Sequence, residues 1–241
     1  MDISFAWHSD YLEPVTSIAL IGICFIVFWF FTNSDFPQRL CKRRYGKEKS
    51  LILIIVFQKL FGIIMFGIIP FLIFFVAFSC NLTDYGLKFS NLLTSLYLIL
   101  LFSAILIPVN FFISGKSENL KHYPQIRVKE WNIKLIIINS LIWIPYLLAY
   151  EFFFRGILLF SWVHVIGVWP AIAINTSIYA CTHIPKGLKE AIGAIPFGII
   201  LCIITLITGN IWVAFFAHVL LALSNDYFAL YHNPEMKIIR K

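Results

Sequence analysis

Four ionisable side chains stand inside runs that are otherwise apolar. Glu151 and Arg155 lie in Tyr150-Glu151-Phe152-Phe153-Phe154-Arg155-Gly156. His183 lies in Tyr179-Ala180-Cys181-Thr182-His183-Ile184-Pro185, and His218 in Trp212-Val213-Ala214-Phe215-Phe216-Ala217-His218. One acid and two imidazoles form a set with recognisable chemistry. A carboxylate in an apolar setting serves as a general base toward water. Imidazoles orient that water or donate hydrogen bonds to a developing oxyanion. The same three side chains would also hold a zinc ion with an open fourth position, because the ligand types are the same. Glu151 and Arg155 are spaced i, i+4 with the acid first, the better order for an ion pair on one helical face. Such a pair also fits a purely structural lock between helices. A single histidine on an apolar helix is ordinarily a hydrogen-bonded core residue. Two histidines and a glutamate, each breaking a different apolar run, point to a shared site.

The elements that position these residues must cross a membrane. Apolar residues make up 60% of the 241 and charged residues 13%, with 25 Phe, against roughly 45–50% and about 25% in soluble proteins. The mean hydropathy is +0.86. A soluble enzyme, a disordered regulator and a secreted disulfide scaffold are all excluded. The net charge is 19 − 12 = +7, but the basic residues sit in short loops between apolar runs. They set topology and meet anionic lipid headgroups rather than nucleic acid. The five cysteines are scattered, without metal-ligand spacing, and read as small buried residues.

A membrane-spanning helix needs about 20 apolar residues. Spans at about 14–31, 59–79, 92–113, 135–160, 164–183, 190–208 and 211–229 give seven crossings, or eight if the fourth run is broken in two. The expected fold class is therefore all-α: a polytopic helical membrane protein in one bundle. Residues 51–58 read as a lead-in to the second span, with Lys59 snorkelling to the interface and Pro70 kinking the helix. The first thirteen residues are acidic and lack the basic start of a signal peptide. With seven crossings the basic loops 33–50, 115–134 and 184–190 share one side with the C-terminus. By the positive-inside rule the N-terminus then lies outside and the C-terminus in the cytoplasm. The chain divides into residues 1–134, spans and basic loops; 135–230, the core with the polar set; and 231–241, a basic tail with Lys237, Arg240 and Lys241. On straight helices Glu151 and His218 share a level in the membrane. His183 joins them if the fifth span is short or tilted, which Gly167 and Pro170 permit.

The order of these motifs resembles the CAAX-type intramembrane endopeptidases, also called the CPBP or bacteriocin-processing family. The family pattern is Glu-Glu-x-x-x-Arg, then aromatic-x-x-x-His, then His-x-x-x-Asn or Asp, each on a membrane helix. Glu151 and Arg155 match the second glutamate and the arginine. Tyr179 and His183 match the second motif, with Tyr for the commoner Phe, and His218 matches the third. Ile207-Thr208-Gly209-Asn210-Ile211-Trp212 resembles the family's approach to that histidine, and the likeness covers about residues 135–230. Two positions depart. Tyr150 stands where the family has the first glutamate, which it uses to activate water. Ala222 stands where it has the amide or acid four residues after the histidine. Asn225 and Asp226 are nearby, but Asn225 is offset from that place by about 60° and about 4.5 Å along the helix.

The resemblance implies an intramembrane peptidase acting on a membrane-associated protein or peptide, with membrane lipids as its other partner and no nucleic acid. Glu151 would activate water, while His183 and His218 orient it and stabilise the oxyanion. Arg155, Tyr150, Tyr179 and Asn225 would support them. No cofactor is implied; zinc on Glu151, His183 and His218 is the alternative. Tyr150 and Ala222 instead support a catalytically inactive relative, a membrane scaffold, regulator or immunity protein. A small transporter relaying protons through buried Glu and His is a third reading, which the lack of a visible half-to-half repeat disfavours. The peptidase reading requires Glu151 and both imidazoles to converge on one cavity open toward the basic loops.

Overall fold

Backbone groups in hydrocarbon are satisfied within a single segment only by a helix, and the long apolar runs of this chain become helices. The computed structural model of the protein describes residues 6–239. The start of the acidic N-terminus, residues 1–5, and Arg240 and Lys241 of the basic tail lie outside the described residues. The chain runs through α1 (Leu12–Thr32) and α2 (Asp35–Ile63), which continues by a π-helical turn (Ile64–Ile68) into α3 (Ile69–Phe78). Then come α4 (Leu92–Ser114), the short α5 (Ser117–Leu120) and α6 (Ile133–Glu151), which passes through a second π-helical segment (Phe152–Leu158) into α7 (Leu159–Ile166). Last come α8 (Val168–Cys181), α9 (Leu188–Thr208) and α10 (Trp212–His232). Two-residue strands β1 (Glu130–Trp131) and β2 (Lys237–Ile238) pair in parallel. The expected all-α membrane bundle is what forms.

Polar contacts mark the two ends of the bundle. At one end Glu13 accepts hydrogen bonds from the Tyr85 hydroxyl at 2.6 Å and from Ser161 Oγ at 3.1 Å. Thr208 O there accepts from Ser90 Oγ at 2.9 Å and Asn91 Nδ2 at 3.1 Å. The opposite end carries the loops around 115–131 and 184–190.

Among the described residues six helices are long and apolar enough to cross a membrane. The expected fourth run is unbroken from Ile133 to Ile166. The expected crossing at 164–183 is divided: Gly167, at φ +84°, ends α7 and starts α8. That positive φ is a conformation glycine adopts without penalty. The 14 residues of α8 rise only about 21 Å, short of the hydrocarbon thickness of about 30 Å. The short helix brings the chain that follows it, with His183, back inside the bundle.

Two expectations for α2 and one for the third loop are corrected. Leu51, Ile52 and Ile55 pack on Ile126, Trp131 and Leu135, so 51–58 is part of the bundle rather than a lead-in. Lys59 is 6% exposed and does not snorkel. Its ammonium lies 3.2 Å from the ring centre of Trp143 and 4.2 Å from that of Tyr146, whose negative faces attract it. The 115–134 segment is no plain surface loop. Ile126, Val128 and Trp131 are buried, and Asp226 ties the segment down. Its Oδ1 accepts from the Gln125 amide at 2.9 Å and its Oδ2 from Asn139 Nδ2 at 2.8 Å. Asp226 is therefore a structural anchor in this fold.

Candidate active site

Glu151 is the last α-helical residue of α6, and the π-helical segment that follows is buried on every side, Phe152 to Leu158 inclusive. A π turn leaves carbonyls off the regular ladder. That of Phe154 accepts from Asn175 Nδ2 of α8 at 2.6 Å, fastening α8 to the segment. Asn175 and Tyr179 are spaced i, i+4 and so share one face of α8, directed at the Glu151–Arg155 region.

Glu151 and Arg155 are both 0% exposed. Glu151 Oε2 lies 3.3 Å from Arg155 Nη1, and the guanidinium carbon is 4.2 Å from the centre of the Tyr179 ring. Glu151 Oε1 is 2.5 Å from His218 Nδ1. An ionised carboxylate only accepts hydrogen bonds, so Nδ1 carries the hydrogen and Nε2 keeps its lone pair. His183 follows the same rule with a different acceptor. Its Nδ1 lies 2.8 Å from the carbonyl oxygen of Tyr179, which can only accept. Its Nε2 is likewise an unprotonated acceptor in the neutral ring.

Both imidazoles border one cavity of about 310 Å³, His183 at 9% and His218 at 8% exposure. Tyr179, Trp143, Asn225 and Ala222 also line it, and its mouth reaches Asn119, Tyr123, Lys186 and Glu190 of the basic-loop end. Lys186 Nζ lies 3.7 Å from Glu190 Oε2 there. Glu151 does not border the cavity; it stands behind His218. The polar set is thus brought together, with the imidazoles in front and the Glu151–Arg155 pair at the back. Tyr150 faces the other side of the same wall. Its ring centre is 5.6 Å from that of His218 and 6.5 Å from that of His183, and its hydroxyl is 2.7 Å from Thr182 Oγ1.

The zinc alternative does not fit this arrangement. Among the described residues no group of three His, Cys, Asp or Glu side chains is placed to hold a metal ion. Glu151 directs its oxygens at His218 Nδ1 and Arg155, away from the Nε2 atoms that would face a cation in the cavity.

Residues 131–224 match the family model described as type II CAAX prenyl endopeptidase Rce1-like. This segment belongs to the CAAX-type intramembrane protease family. No curated protein and no solved structure matches the chain. The matched stretch contains α6 to α9 and the histidine-bearing half of α10, which carry the whole polar set. A hydrolase family and an integral, multi-pass membrane protein follow at that level of detail. Several residues around the cavity carry no recognisable motif. Asn175 and Thr182 position the helix and turn that bear His183, while Trp143 and Lys186 line the cavity. A single signal was available for Asn175: it is a lone amide in the apolar run of α8.

Proposed function

We propose that the protein is an intramembrane endopeptidase that hydrolyses a peptide bond of a membrane-associated protein or peptide. The substrate enters from the basic-loop end, taken as cytoplasmic on the charge asymmetry of the loops. The observation that carries this reading is the pair of imidazoles on one cavity, one of them backed by a carboxylate at 2.5 Å. With Nδ1 of each ring engaged away from the cavity, the unprotonated Nε2 atoms are the acceptors left to a water molecule in it, which turns a lone pair toward a substrate carbonyl. His218 takes the water's proton and later returns it to the leaving amine. Glu151 holds the ring in one tautomer and stabilises the imidazolium, acting through His218 rather than on water directly. The charge on His218 and the Lys186 ammonium at the cavity rim are the positive charges available to the tetrahedral oxyanion.

One feature favours a second reading, an inactive relative that binds peptides. A phenol, Tyr150, occupies the place of the family's water-activating glutamate, and its hydroxyl is engaged by Thr182. Mass spectrometry of protein termini in membranes from cells expressing wild type, His218→Gln or Glu151→Gln separates the two. New termini with wild type alone are the expected result. Identical termini at equal expression of folded protein would refute peptidase activity and leave the binding role.

A further inference from the structure

Tyr150 and Glu151 are consecutive residues, and each is bonded to the element that presents one imidazole. Glu151 bonds His218 itself. Tyr150 reaches His183 through a relay whose direction the donors and acceptors determine. Thr182 Oγ1 is 2.7 Å from the Tyr179 carbonyl, which can only accept, so the threonine hydrogen points there. The Tyr150 hydroxyl, 2.7 Å from the same Oγ1, must then be the donor. The Tyr179 carbonyl receives a second hydrogen bond, 2.8 Å from His183 Nδ1. One buried carbonyl at the end of α8 therefore collects both the relay and the ring.

We infer that Tyr150 is a positioning residue: through Thr182 it clamps the turn after α8 and holds the His183 ring with Nδ1 protonated and Nε2 toward the cavity. The Tyr150–Glu151 pair is then a two-residue device that orients two imidazoles, one through a relay and one directly. A second glutamate at position 150 would have no hydrogen to donate to Thr182. The Thr182 hydroxyl would turn toward the carboxylate and abandon the Tyr179 carbonyl. The catalytic consequence rests on the proposed peptidase reading; the ring geometry does not.

The test is nuclear magnetic resonance of the histidine ring nitrogens in the full chain, labelled with ¹⁵N-histidine in detergent micelles. His183 is assigned by loss of its signals in His183→Gln. Wild type should show a single Nδ1-protonated tautomer at His183. Tyr150→Phe and Thr182→Val should both mix the two tautomers, and Thr182→Ser, which keeps the hydroxyl, should retain the wild-type state. A peptidase assay on the same proteins should show turnover reduced about tenfold in Tyr150→Phe with KM unchanged, the size of one lost hydrogen bond. A His183 tautomer unaltered in Tyr150→Phe overturns the inference whatever the activity. Turnover above wild type in Tyr150→Glu overturns the catalytic consequence of that positioning, because the phenol would then stand where a base is missing. A mixed tautomer in Tyr150→Phe from a wild type without turnover upholds the positioning role and removes the peptidase reading.

Discussion

Glu151→Gln tests more than catalysis, because it leaves Arg155 as an unpaired cation at 0% exposure. The guanidinium lies 3.3 Å from Glu151 Oε2, and among the described residues its nitrogens have no hydrogen-bond acceptor. In the variant it keeps the Tyr179 ring at 4.2 Å and the Phe154 ring at 5.8 Å, both already present in wild type and therefore no compensation. Removing one partner of a buried pair costs about 3–5 kcal/mol. Arg155→Met should cost less, since Glu151 keeps the hydrogen bond from His218, worth about 1.5–3 kcal/mol for a charged acceptor. The double variant Glu151→Gln/Arg155→Met has no stranded charge and should lie within about 2 kcal/mol of wild type, as replaced buried pairs often do. Cys24 and Cys202 are buried free thiols while Cys181 is exposed and Cys41 and Cys80 are half-buried, so with those three changed to Ser a thiol-reactive dye reports unfolding in detergent. At about 2–4 °C per kcal/mol for a chain of this size, Glu151→Gln should melt about 6–20 °C below wild type, with most of that recovered in the double variant. Equal midpoints for Glu151→Gln and the double variant would refute the coupling, and with it Arg155's dependence on Glu151.

Two further perturbations probe the cavity's surroundings. Asp226→Ala removes the acceptor of two hydrogen bonds, from Gln125 N and Asn139 Nδ2, each worth about 1.5–3 kcal/mol to a carboxylate. Trypsin should then cut at Lys121, Arg127 or Lys129 at an increased rate, and an unaltered digestion pattern would contradict the anchoring role. At the exposed end, the hydrogen bond and charge of Lys189 hold the Glu118 carboxyl below its usual range. A carboxyl lowered on folding stabilises above its unfolded value, and that contribution is lost as pH falls through the folded one. Carboxyl titration by nuclear magnetic resonance should return to the ordinary range in Lys189→Ala and, by screening, in wild type at high salt. No change on removing Lys189 would refute the assignment.

The bundle and the polar set were legible because a charge in an apolar run is costly and stands out in one dimension. Their arrangement in depth was not. The i, i+4 spacing of Glu151 and Arg155 says that they share a face, not that the face lies behind an imidazole. The run 164–183 reads as one apolar span, and only the backbone of Gly167 divides it. Gly167 and Pro170 did mark the fifth span as the place for an irregularity. Lys59 looked interfacial because the rings that hold it, Trp143 and Tyr146, belong to a helix far along the chain. Ile126, Val128 and Trp131 sit in a polar stretch with no helical period. They pack on Leu135 and Leu230, and the segment is tied down by Asp226; Leu230 and Asp226 lie far along the chain.

The two departures from the family pattern carry unequal weight in this geometry. Ala222 lines a cavity that amides from elsewhere also line: Asn110 of α4, Asn119 and Asn225. Of these, Asn110 already donates to Leu221 O and Ser224 Oγ and Asn119 to Ser114 O, which leaves Asn225 as the amide to take the place of the missing one in the proposed site. Tyr150 has no such substitute. The acid that borders the cavity is Glu190, and it is already paired with Lys186 at the mouth. Glu151 does not border the cavity, and in the proposed reaction the base is therefore His218 Nε2 with Glu151 behind it. The order of effects follows. A general base is worth about 10²–10⁴-fold, whereas loosening the second ring through Tyr150 loses about one hydrogen bond's worth, roughly tenfold. A chain that cleaves peptides in this way must be far more sensitive to His218→Gln than to Tyr150→Phe. Comparable losses would return the base to residue 150, a role that a phenol donating its hydrogen to Thr182 is poorly placed to fill.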